Sequence, residues 1–281
     1  MNTGLELDCI DAARELGHLF IHSTPPFPLD PLAKHFGVSE VRERPLDRDA
    51  RLTRESGRLV IEVNSLFPRV RQRLSIAHEI GHLIVDYCSP DKGSHWEHHD
   101  NEVESLCNRL AGQLLAPDWA LRGHFEQDCA LADWQHPIRC STILAAASKF
   151  GISADATASR IFSELDLAPD VVAIIWRQME NSAKPGSEMT LRIASAWHSK
   201  RSSTYIPQNK TAPANSVIRK ASRQGGVFSA VENLSLGAMR GWFQVEALGF
   251  GPNSRRTGTE GVRSVLSLAS PRCGDRLSTT N

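Results

Sequence analysis

"AHEIGHLIVDY", residues 77–87, holds two histidines four positions apart, with a glutamate directly after the first. On an α-helix, positions i and i+4 stand one above the other, so His78 and His82 present their imidazoles to one point. Two neutral imidazoles so placed grip one face of a tetrahedral Zn²⁺. Glu79 is turned about 100° from His78. That sets a carboxylate beside the ion, able to take a proton from water that the ion acidifies. The bland alternative is three unrelated polar residues. Against it stands Gly81, because a mid-helix glycine costs about 1 kcal/mol relative to alanine, which implies a neighbour needing the room.

The flanking residues fit a helix. Ser65 is a candidate cap, Pro68 falls in the first turn, and no breaker follows until Ser89-Pro90. Before it, "RLVIEVN" (58–64) is rich in β-branched residues between Gly57 and Asn64 and predicts a strand, either in the core or at a groove's edge where an extended chain can pair with it. After it, the polar stretch "CSPDKGSHWEHHDN" leads to a second helix, "EVESLCNRLAGQLLA", closed by Pro117. A third ligand must come from outside the histidine pair. Candidates are Asp86, the group His95, His98, His99 and Asp100, and the glutamates Glu102 and Glu104. Asp86 is turned about 80° from the direction of His78, and suits orienting a ligand better than binding the ion. Glu104 shares a helix side with Asn108, Ala111 and Leu115, so a helix laid across the first would deliver it to the metal. By spacing alone it stands only slightly ahead of Glu102. No oxyanion stabiliser stands out; Tyr87 and the loop histidines are unranked.

Further out, residues 5–20 repeat apolar positions at helical spacing, and "LDPLAKHFGV" reads as a short helix ending near Gly37. "STILAAASKF" and "SADATASRIFSEL" are short helices joined by "GIS". The second carries one arginine against two acidic residues, which suits a packed helical hairpin better than a DNA-reading one. From Val171 the texture changes. "VVAIIW", "LRIASAWH", "STYIP", "GWFQVEAL" and "VRSVLSLAS" predict strands, with a helix near 215–222 and a loose tail from Pro271. The expected fold class is α+β: a helical domain with a small sheet over residues 1–168, then a mostly antiparallel β accessory domain over 169–281.

The 281 residues are 41% hydrophobic and 23% charged, the balance of a globular chain with a real core. Zero net charge hides an asymmetry. Residues 1–170 hold 17 Lys+Arg against 26 Asp+Glu, and residues 171–281 hold 15 against 6. Seven basic residues and no acidic one lie between Met189 and Val231. That basic stretch fits an acidic partner or the acidic half of the same chain, and leaves nucleic-acid contact open. Six cysteines without a C-x-x-C argue against a cysteine zinc site and for a reducing, cytoplasmic setting; no apolar run is long enough for a membrane span.

"RQRLSIAHEIGHLI" followed by "ESLCNRLAGQLLAP" resembles the ImmA/IrrE family of metallopeptidases, whose pattern is close to R-x-R-F-T-x-A-H-E-x-G-H, then E-x-x-A-N-x-F-A-A-x-L-L-M-P. Arg71, Arg73, Ala77, His78, Glu79, Gly81 and His82 match the first part; Glu104, Asn108, Ala111, Leu114, Leu115 and Pro117 match the second. Leu74, Ser75, Cys107, Leu110, Gly112 and Ala116 depart from it without removing a ligand or base. The likeness spans about residues 25–165. It implies a zincin-like fold, Zn²⁺ held by His78, His82 and Glu104, and Glu79 as general base. It also implies an endopeptidase that cuts an Xre-type helix-turn-helix repressor. The alternative is a repressor- or DNA-binding regulatory module without proteolysis.

Overall fold

A computed structural model of the chain describes residues 3–20, 22–89, 101–131, 138–181, 183–184, 186–202, 205–252 and 263–271. The fold class is α+β, with one three-stranded mixed sheet and one five-stranded antiparallel sheet. The chain divides into two compact units, residues 1–126 with 146–153 and residues 127–145 with 154–281.

In the first unit, α1 (Thr3–His18) and α2 (Asp30–His35) precede β1 (Val38–Arg44), β2 (Ala50–Glu55) and β3 (Arg58–Asn64). Then come α3 (Arg69–Cys88), α4 (Asn101–Leu115) and the first part of α5 (Asp118–Leu131). The strand expected at 58–64 is the middle one, in the order β1-β3-β2, parallel to β1 and antiparallel to β2. Both its sides are therefore bonded. The expectation that it offers an edge to an extended chain gives way: the edge strands are β1 and β2.

β3 turns Ile61 and Val63 into the core on one face. On the other it buries Glu62, which lies in register with Arg42 on β1 and Arg51 on β2. The carboxylate meets Arg51 Nε at 2.5 Å and Arg44 Nη1 at 2.9 Å. A buried charge survives only with such partners. Asn64, next on the same face, donates from Nδ2 to the carbonyls of Leu46 and Arg48 at 2.7 and 2.9 Å, and its Oδ1 accepts the Leu66 amide at 3.0 Å. It thus ties the β1–β2 connection to the start of α3. The cap of α3 is Pro68, not Ser65.

The second unit contains the start of α6 (Cys140–Phe150), α7 (Ala154–Ala158) running into a wider-wound turn to Glu164, β4 (Val172–Met179), β5 (Thr190–Trp197) and α8 (Val217–Gln224). It ends with β6 (Gly226–Leu236), β7 (Met239–Pro252) and β8 (Arg263–Pro271), in a sheet ordered β5-β4-β8-β7-β6. Ser216 caps α8, its Oγ accepting the Arg219 amide at 3.4 Å, and Gly225 ends it at φ 69°. Ile218 and Ala221 of α8 close over Trp176, Ile193, Leu234 and Val245. Gly249 permits the approach, since a Cβ there would lie 2.2 Å from the Ala221 carbonyl oxygen.

The sequence did not predict β1, β2, α5 or β6. The strand expected at "STYIP" is not formed by its described residues, 205–207; the tail from residue 272 lies outside the described residues. Among the described residues no helix is long and apolar enough to cross a membrane.

Candidate metal centre

α3 and α4 approach closely at one glycine. A Cβ on Gly81 would meet the Cys107 carbonyl oxygen at 3.1 Å and its Cα at 3.2 Å, so the neighbour that the mid-helix glycine implied is the backbone of α4. This places Glu104, one turn before Cys107, over the histidine pair.

Donor atoms of His78, His82 and Glu104 all lie within 4.8 Å of one another. The two Nε2 atoms are 3.1 Å apart, His78 Nε2 is 3.1 Å from Glu104 Oε2, and His82 Nε2 is 3.5 Å from Glu104 Oε1. A tetrahedral ion with bonds of about 2.0–2.1 Å keeps its donors roughly 3.3 Å apart. The observed separations bracket that value, and two imidazoles with one carboxylate suit zinc chemically. His78 Nδ1 lies 3.0 Å from Asn108 Oδ1. An amide oxygen only accepts, so Nδ1 carries the proton and the Nε2 lone pair is left for a metal.

Glu79 stands beside this trio, half-buried. Burial, and then the Glu104 charge, push its carboxyl up to about 7, while a backbone hydrogen bond from Leu52 and the Arg48 charge act the other way. All four residues line one cleft of about 750 Å³, walled on one side by residues 47–52 and on the other by α3 and α4. Arg71 holds that wall. Its Nε and Nη2 donate to Asp49 at 2.6 and 2.8 Å, and its guanidinium lies 3.9 Å above the Phe67 ring. Arg73 instead donates to the Phe27 carbonyl at 2.9 Å, away from the cleft lining.

Of the candidates for third ligand, Glu104 joins the pair. Glu102 lines a separate cavity with Glu6 and Arg109, and Asp86 is outside the trio. His95, His98, His99 and Asp100 lie outside the described residues. Tyr87 is 68% exposed, meets Phe36 edge-on, and does not line the cleft. Sequence reasoning missed the Leu52 amide, the Arg48 charge and the orienting role of Asn108. Only Asn108 left a signal, one helical turn beyond Glu104.

Residues 30–162 match the model of a peptidase family described as the IrrE N-terminal-like domain. Among solved structures, a Mycobacterium tuberculosis transcriptional regulator is similar in fold, with a TM-score of 0.52 and 13% identity over 94% of this chain and 76% of that one. No curated protein matches. Across the segment that forms the cleft, the chain thus resembles the ImmA/IrrE metallopeptidases.

Proposed function

We propose that the protein is a zinc-dependent endopeptidase that cleaves an Xre-type helix-turn-helix repressor and so relieves repression. The observation that carries this reading is the convergence of His78, His82 and Glu104 from two helices, with Glu79 at their side in an open cleft. This arrangement supports a zincin-like first unit. His78, His82 and Glu104 would hold the ion. When bound, zinc supplies a Lewis acid for the scissile carbonyl and acidifies the attacking water. Glu79 accepts the proton of that water and passes it to the leaving amine. Its place beside the trio, lining the same cleft, suits a group that must both take and give a proton. β2 has no strand partner on its cleft side among the described residues, so an extended substrate can pair there. The repressor as substrate rests on the family resemblance. A reducing, cytoplasmic setting rests on the sequence, whose six cysteines include no C-x-x-C.

Glu79→Gln tests the chemistry. Incubating the zinc-loaded protein with an Xre-type repressor, and weighing the fragments, should show one cut. The variant should lose about 10²–10⁴-fold in rate and keep its zinc and its grip on the repressor. A wild type that binds zinc and repressor without cutting, with the variant indistinguishable from it, establishes the binding-module alternative.

A further inference from the structure

The unpaired edge of a sheet is a template for another strand, and proteins blunt such edges with charges, bulges or covering segments. The edges here are treated differently. β2 belongs to the cleft already described. β1 shows Glu40, Arg42, Glu43 and Arg44. β5 is paired with a bulge at Ile175/Trp176 and is covered on its outer side. Ile193 donates to the Lys210 carbonyl at 2.9 Å, Asn209 to the Ile193 carbonyl at 2.8 Å, and Ala212 to the Leu191 carbonyl at 2.8 Å.

Among the described residues β6 has little of this protection. It runs 11 residues in unbroken register with β7 and contains no lysine, arginine or proline. Its one charged residue, Glu232, accepts the Val217 amide at 2.6 Å. The two-residue turn after Leu236 directs the main-chain groups of alternate residues, Val227 to Ser235, away from β7. The Ser235 carbonyl already accepts Lys210 Nζ at 3.1 Å on that side, and no described strand pairs with the rest.

The two faces beside this edge differ in chemistry. One carries Val227 at 50%, Val231 at 42% and, from β7, Trp242 at 53% exposure. The other carries α8, whose Lys220 lies 4.5 Å over the Phe228 ring and whose Arg223 is exposed one turn further on. A strand added to β6 would project alternate side chains onto these two faces.

We propose that the outer edge of β6 binds an extended segment of a partner protein in which apolar and acidic residues alternate. The apolar side chains lie against Val227, Val231 and Trp242. The acidic ones lie toward Lys220 and Arg223. Main-chain bonds to β6 supply affinity, and the alternation supplies selectivity. This also gives a role to the acid-free stretch from Met189 to Val231.

The test titrates the full chain with a labelled ten-residue peptide alternating valine and glutamate, read by fluorescence anisotropy. Saturable binding is expected. N-methylating the peptide amides that face β6 should weaken it at least tenfold, whereas methylating the other set should not. A peptide of five valines followed by five glutamates should also bind at least tenfold more weakly, as should the alternating peptide to Lys220→Glu with Arg223→Glu. Absent binding, or equal binding of both methylated peptides or of the block peptide, overturns the proposal. So does self-association through the edge, seen as a sedimentation mass that rises with concentration and falls in Val231→Lys. Displacement of the peptide by single-stranded DNA at lower concentration would make the face a nucleic-acid surface instead.

Discussion

Each unit uses a glycine to press a helix against a neighbour, but the two contacts close over different things. At Gly81, α3 meets the backbone of α4, and the result is a cleft where four ionisable side chains converge. At Gly249, β7 meets the backbone of α8, and the result is a sealed apolar core. Close approach is thus a packing device with no functional content of its own. What distinguishes the first contact is the polar groups it gathers, at a cost in desolvation that only a ligand or a reaction would offset.

Gly249→Ala should have the largest effect. Its Cβ would need to stand where the Ala221 carbonyl oxygen lies 2.2 Å away, and a backbone atom cannot swing aside like a side-chain tip. Overpacking of this kind costs about 1–3 kcal/mol, and here the upper end is expected. Chemical denaturation followed at Trp176, fully buried with Nε1 donating to Ser267 Oγ at 2.8 Å, would measure it. Zinc affinity of the variant should stay at the wild-type level. A drop in it would mean that the two contacts are not independent.

Next comes the ion. Zinc at 100 times its dissociation constant should stabilise the unit that binds it by about 2.7 kcal/mol. Hydrogen exchange should then slow for the amides of α3 and α4, and leave those of β4 and β8 unchanged. Protection appearing equally in both units, or in neither, would remove the distinction between a site-bearing contact and a structural one.

Asn108→Ala is intermediate. Removing the oxygen 3.0 Å from His78 Nδ1 frees the ring to rotate and to change tautomer. Partners of this kind are worth about 10–100-fold in metal affinity. Titration with a competing chelator reads that loss directly, and thermal stability without zinc should hardly move.

What the sequence revealed follows the same division. Helical period 3.6 and the four-residue spacing of His78 and His82 are local properties, so the helix carrying the pair and Glu79 beside it could be read from a single stretch. β3 was legible for a similar reason: Leu59 to Val63 is nearly all β-branched or apolar around Glu62. Glu104 was only one of several candidates, because choosing it needs the approach of two helices, a tertiary fact. Arg48 enters the cleft from just before β2 and the Leu52 amide from β2 itself, whose "ARLTRE" has too little apolar alternation to announce a strand. β6 was missed because "GVFSAVENLSL" sets Val227 and Val231 among Ser229, Asn233 and Ser235 on one face and Glu232 on the apolar other, which blurs the alternation. Its outward face lacks the charge that usually marks an exposed strand, and this same lack makes its edge notable.

Gly81→Ala should show the smallest change in stability and the most informative one. Alanine is favoured over glycine inside a helix by about 1 kcal/mol. Opposing that, the new methyl would stand 3.1 Å from the Cys107 carbonyl oxygen and 3.2 Å from its Cα, so the helices must separate by a few tenths of an ångström. The two effects nearly cancel, and denaturation midpoints should agree with wild type within about 1 kcal/mol. Zinc affinity has no such compensation. The separation opens the distance between His82 on α3 and Glu104 on α4, already 3.5 Å from Nε2 to Oε1, so a ligand on each side of the moved boundary must be drawn back when the ion binds. A loss of affinity without a loss of stability would show that Gly81 serves the site rather than the fold. Wild-type affinity in the variant would reduce Gly81 to the same kind of contact as Gly249, differing only in how tightly it is packed.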